Sequence, residues 1–231
     1  MEIIWKIVKG IIATCLLLIF LIILYIQYSE HKLAEQINNS SIIQSLNKME
    51  AENKHGDIWI KLIKEIQSVS DEDRDLIIKW TNKRLSDGNG PYYYVLALYY
   101  MKSAQNVNNK FIAKTIARRA LEYFSAGQLI YRADASRCND PTSIQAVPII
   151  ESSIFGSEIN KLLNENHELR SSILPWALEQ EEKTKNRKPS VWICAHGIKN
   201  FTGKNELLSE DQWDIERLKI RKQYSEFMTK L

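Results

Sequence analysis

Between Gly10 and Ile26 the chain carries 17 consecutive residues without a charge, almost all of them Ile, Leu or another apolar type. Extended back through Ile7 and Val8, with the Lys9 side chain reaching outward, the run comes to about 20 residues. That is roughly 30 Å of helix, enough to cross a bilayer core. Trp5 precedes it and Tyr25 and Tyr28 follow it, where amphipathic rings favour the headgroup layer. The segment Leu24-Tyr25-Ile26 lacks the small residues of a signal-peptidase site, so the pattern predicts an uncleaved anchor rather than a cleaved signal. Lys6 and Lys9 stand on the N-terminal side. The positive-inside rule therefore keeps that end in the cytoplasm and sends the rest of the chain across.

Beyond the anchor the apolar positions keep helical spacing almost throughout. Leu33 to Glu50 reads as a polar helix with Ile37, Ile42, Ile43, Leu46 and Met49 along one side, interrupted at Asn38-Asn39-Ser40-Ser41. It fits either a stalk or an early helix of the following domain. After Lys54-His55-Gly56, Asp57 is expected to cap a helix carrying Trp59, Leu62, Ile63 and Ile66. Ser70, followed by Asp71-Glu72-Asp73, caps the next, whose expected inner face is Leu76, Ile77, Trp80 and Leu85. Asp87-Gly88-Asn89-Gly90-Pro91 is the sharpest break.

A helical hairpin follows: Tyr92 to Ala104, a turn over 105–109, and a long helix from Phe111 to near Arg137. Ala113, Ala117, Ala120, Ala126 and Gly127 would let a partner helix approach this long helix closely. Locally the pair resembles the helix pairs of tetratricopeptide-type repeats, but no second copy occurs at a fixed period.

Pro148 is expected to open the next helix, Pro175 to kink or restart the one after, and 179–188 to be a charged, solvated end. Val191-Trp192-Ile193-Cys194, bounded by Pro189 and His196-Gly197, reads as extended and buried. Ser209 and Gln212 form a capping box for an amphipathic C-terminal helix with Trp213, Ile220, Tyr224, Phe227 and Leu231 on one face. The expected fold is therefore all-α. A single transmembrane helix (10–28) follows a short cytoplasmic segment (1–9), and a juxtamembrane helix or stalk (29–54) leads to an extracytoplasmic multi-helix domain (55–231). At most one short strand is expected.

Composition supports this picture. Only 8 Gly and 5 Pro occur in 231 residues, a shortage that favours long helices over loop-rich or many-stranded folds. A net charge of +3 does not announce a nucleic-acid binder, and no such partner is expected. Of the three cysteines, Cys15 lies in the apolar run. Cys138 and Cys194 remain as a disulfide candidate for an oxidising compartment, periplasmic in a bacterium.

Chemistry is sparse. Cys194-Ala195-His196 places two possible metal ligands in a local turn, but His31, His55 and His167 form no paired motif with it. Cys138 or Cys194 with His196 or His167 could supply a thiol nucleophile and a base. Asp134 and Asp140 flank Cys138, and Glu151 and Glu158 lie on the next helix, as candidate acid–base carboxylates. Arg132 and Arg137 offer them ion pairs instead. Phosphate-binding glycine loops are absent from the sequence, and no cofactor is expected. The bases Arg217, Lys219, Arg221 and Lys222 are balanced by acids on the same helix and read as a solvated face.

Tyr92, Tyr93, Tyr94, Tyr99 and Tyr100 form a candidate interaction surface, since three consecutive tyrosines cannot share one helix face. The sequence thus points to a membrane-anchored helical interaction or assembly module of the cell envelope, meeting the bilayer through 10–28 and a protein partner or a second copy beyond it. The alternative is an anchored envelope hydrolase using carboxylates near Asp134 and Asp140, or a Cys194/His196 site.

Overall fold

A computed structural model of the chain describes residues 2–52, 54–87, 90–156, 158–188, 191–199 and 206–230. Among these the fold is all-α, with eleven α-helices, no strands and one isolated bridge between Cys138 and Leu207. The chain divides into two compact units, Met1–Asn47 and Lys48–Leu231.

The first unit is dominated by α1, Glu2–Asn39. Its part from Thr14 to Asn39 contains a stretch long and apolar enough to cross a membrane, with none of that stretch buried in protein. Leu16 to Ile26 present their side chains outward. By length and composition the helix is suited to be a span or a signal sequence. The side chains of Trp5 and Lys9, assigned above to the boundary, lie outside the described ones. The helix breaks at Ser40, inside the predicted Asn-Ser interruption, before α2 (Ser41–Ala51), and Gln44 Nε2 donates to Asn38 O across the break at 2.9 Å.

The second unit contains α3 (His55–Ser68), α4 (Asp71–Lys83), α5 (Gly90–Gln105), α6 (Lys110–Ala135), α7 (Ser143–Phe155), α8 (Glu158–Glu165), α9 (His167–Lys183), α10 (Val191–Cys194) and α11 (Glu210–Thr229). Ser70 caps α4 through Asp73 N at 3.1 Å, and Asn109 caps α6 through the amides of Phe111 and Ile112. The Ser209/Gln212 capping box opens α11 as expected. Asp57 is not a cap. Helix α3 already starts at His55, so the carboxylate sits in the first turn, where the helix dipole favours it.

Helix α5 forms the centre. It packs antiparallel on α6, while α3 and α4 cover its other side and α7 reaches it at Phe155. Gly127 sets the closeness of the hairpin. A Cβ there would lie 2.8 Å from two ring carbons of Tyr94 and 3.1 Å from the Tyr93 Cβ, so this small residue of α6 serves α5 itself. Gly127→Val should accordingly cost about 1–3 kcal/mol by overpacking, read as a lowered urea midpoint of the full chain in detergent.

On the far side of α6, α9 runs in the same direction, with Ser172 O level with Arg118 and Arg187 level with Asp134. Helix α11 returns antiparallel across both. Trp213 Nε1 donates to Ala133 O at 2.8 Å, and Tyr224 Oη donates to Ser125 O at 3.1 Å.

Several local expectations are corrected. Pro148 lies inside α7 rather than at its start, because the helix begins five residues earlier at Ser143. Pro175 does not restart α9, which continues through it under the Asn166 cap, with Ile173, Leu174 and Ala177 buried on both sides of the proline. Val191–Cys194 is a helical turn, not an extended segment. Among the described residues no strand lies beside it, and the Trp192 and Ile193 carbonyls accept from the amides of Ala195 and His196 in successive turns. Phe227 is exposed on α11, where Arg217 and Met228 are buried instead, and Leu231 lies outside the described residues.

Candidate functional site

The sequence candidates fall into two built clusters around the end of α6. The first is a knot held by the Cys138–Cys194 disulfide, with Cα atoms 5.4 Å apart and a sequence separation of 56 between the two cysteines. Asp140 organises the loops around it. Its Oδ1 accepts from Thr142 N at 3.0 Å and Thr142 Oγ1 at 2.6 Å, and its Oδ2 accepts from Lys199 N at 2.6 Å. Thr142 Oγ1 in turn accepts from Ile198 N at 2.9 Å. The Thr142 hydroxyl foremost, then the two backbone amides, hold the Asp140 carboxyl below the usual carboxylate range. Gly197 is pressed so near that a Cβ there would overlap Asp140 Oδ2 and Ser143 Oγ.

The second cluster is ionic and almost dry. Arg187 donates from Nε to Asp134 Oδ1 at 2.7 Å and from Nη1 to Glu181 Oε1 at 3.1 Å, with all three side chains nearly fully buried. Glu181 Oε2 also receives Arg217 at 2.8 Å and Arg221. Two guanidinium groups lie over the Trp213 ring, Arg137 at 4.4 Å and Arg187 at 5.1 Å from its centre. The stretch 179–188 is therefore not a uniformly solvated end. Glu181, Thr184 and Arg187 turn inward, while Arg217 leaves the basic face of α11 for the core.

Burial pushes the Asp134 carboxyl up to about 6 from 3.8, since lost hydration outweighs the attraction of Arg187. Between about pH 4 and pH 6 the folded chain therefore holds a proton that the unfolded chain has released. The contribution of Asp134 to stability falls as pH rises through that window, by on the order of 2–3 kcal/mol. Asp134→Asn should remove that slope, so that the stability difference between native and variant chains changes with pH from about 4 to 6 and is flat above it, measured by urea unfolding.

A third polar group within the core was not anticipated as a unit. Glu151, buried in α7, accepts from Tyr94 Oη at 2.6 Å and Gln128 Nε2 at 2.9 Å. Burial raises its carboxyl above the ordinary range, and burial together with Glu151 holds the Tyr94 phenol well above its own. The sequence offered one clue, a glutamate among the apolar residues of α7, but not the partners that come from α5 and α6.

Asp134 and Asp140 thus do not form a shared carboxylate pair, because each is committed to separate partners. Cys194 sulfur is covalently occupied. His196 is exposed, with Nδ1 3.3 Å from Trp192 O and its ring edge-on to Trp192. His167 Nε2 lies 3.0 Å from Thr229 O. Among the described residues, no group of three or more His, Cys, Asp and Glu is placed to hold a metal ion.

The tyrosines divide. Tyr92, Tyr93 and Tyr94 are all buried, which corrects their expected place on an exposed interaction surface. Because residues 90–98 of α5 are all buried, each direction from this part of the helix meets protein: Tyr92 meets Trp80, Tyr93 meets Tyr123 and Trp176, and Tyr94 meets Phe124, Tyr131 and Phe155. Tyr99 and Tyr100 are half-buried. Tyr100 stacks on Tyr123 at 5.3 Å, and Tyr99 lines a cavity of about 150 Å³ with Ile66, Arg74, Lys102 and Ser103. Arg74 there is already engaged with the carbonyls of Ile66 and Val69 and with Asp71. Neither a known family model nor any curated protein or solved structure matches the chain.

Proposed function

We propose that the chain is a single-pass, membrane-anchored helical module of the cell envelope whose work is protein contact. In this reading residues 10–28 stay in the bilayer, the N-terminus is cytoplasmic, and the helical unit lies on the extracytoplasmic face, periplasmic in a bacterium. The apolar α1 and the disulfide in the helical unit support export, since such bridges persist in oxidising compartments.

The observation that carries the contact role is how the side chains are used. The buried groups best suited to chemistry are committed to ion pairs, turns and a disulfide. Large apolar side chains such as Phe111, Ile149, Ile215 and Leu218 stand exposed. Crosslinking in native membranes is the test. A recurrent crosslinked species containing this chain is expected, whether with another protein or with itself, and monomer alone at every crosslinker length would contradict the reading.

A further inference from the structure

We propose that the outer face of α11 pairs antiparallel with α11 of a second copy, which rests on the contact role proposed above and names its partner. Trp213, Arg217, Tyr224 and Met228 bury one side of the helix. At 100° per residue the opposite side carries Asp211, Ile215, Leu218 and Lys222. Ile215 and Leu218 are 57% and 51% exposed, and Asp211 and Lys222 are exposed beside them. The face is apolar at its middle and charged at its ends.

The order of those charges selects the occupant. The first half of α11 holds Glu210, Asp211, Asp214 and Glu216 and ends on Lys219, which pairs with Glu216 at 2.6 Å; the second half carries Lys222 on its outer side, with Glu226 one turn onward at 3.9 Å. A second α11 laid antiparallel about the midpoint of Ile215 and Leu218 sets each Ile215 on the other copy's Leu218. The same register sets each Asp211 against the other copy's Lys222. One two-fold operation thus makes every central contact apolar and both end contacts attractive. A parallel pair would instead set Asp211 on Asp211 and Lys222 on Lys222. The patch is small beside a free-standing dimer interface, but anchoring both copies in one bilayer raises their effective concentration, so modest complementarity suffices.

The test uses the full chain in its native membrane, with a benzophenone amino acid in place of Leu218 and a mixture of isotopically light and heavy copies. Irradiation should give light–heavy adducts around Ile215 of the second copy. Asp211→Lys should lower their yield about tenfold, because both end contacts become repulsive, and so should Lys222→Asp. The double variant Asp211→Lys/Lys222→Asp should restore it. Absent light–heavy adducts, adducts outside α11, or a yield indifferent to these charges would overturn the pairing. Adducts to a different protein would overturn it too, while leaving the contact role standing.

Discussion

Replacing Cys138 and Cys194 together by serine is expected to cost the folded chain about 4 kcal/mol. The bridge closes a loop of 56 residues, and the entropy that this constraint removes from the unfolded chain amounts to about 4 kcal/mol. Native contacts add to the case. The two bridged segments are also joined by Lys199 N donating to Asp140 Oδ2 at 2.6 Å, and the Cys138 segment is tied separately to 206–208 by Asn139 N donating to Glu206 O and Leu208 N donating to Arg137 O, each at 2.9 Å. Those bonds are short-range and individually weak, and they cannot substitute for a covalent tie between α10 and the end of α6. Urea unfolding of the full chain in detergent should show the doubly substituted protein and the reduced native protein with similar midpoints, both well below that of the oxidised protein. Equal stability with and without the bridge would mean that the knot is held by its hydrogen bonds alone.

An effect of similar size is expected at Glu181. Its carboxylate is fully buried and takes Arg187, from the turn after α9, and Arg217 and Arg221 from α11. Glu181→Leu leaves two nearly buried guanidinium groups, Arg187 and Arg217, without the charge between them. Removing one partner of such a buried set costs about 3–5 kcal/mol, mostly as the penalty of the charges left behind. Glu179→Ala is the contrast. Its pair with Lys183, at 2.6 Å, is more than half exposed on both sides, so its loss should change stability by less than about 1 kcal/mol. Urea midpoints for the two variants decide between a buried electrostatic core and an ordinary charged surface, since similar small losses would place Glu181 in water.

The helical architecture was readable because its signals are local. Apolar spacing marks the helices, and Ser70 and the Ser209/Gln212 box mark two of their starts in single short motifs. The hairpin turn and the small residues of α6 were visible for the same reason. What the sequence could not convey was which helix would be central. Tyr92 to Tyr94 are too many for one face only if α5 has one buried face, and its residues 90–98 are all buried, with α3, α4 and α6 packed on the helix and Phe155 of α7 on Tyr94. Glu181 and Arg187 sit in a run of charges whose local composition matches a solvated helix end, and their burial depends on α11, some thirty residues onward. The Glu151–Tyr94–Gln128 group draws one residue from each of three helices. Long-range convergence of this kind leaves no periodic trace. Pro175 does not start a new helix for a related reason, since packing against α6 carries α9 through it despite the lost amide.

The central claim, an anchored helical unit carried into an oxidising compartment, is tested most directly by thiol state in the intact host. Membranes are isolated under alkylating conditions, without reductant, and free cysteines are counted on the full chain by mass tag before and after reduction. The account predicts one reactive thiol before reduction, Cys15, and three after it, because Cys138 and Cys194 are bridged. Three tagged cysteines before reduction would contradict it, placing the helical unit in a reducing compartment and returning Cys194 and His196 to the set of groups free for chemistry.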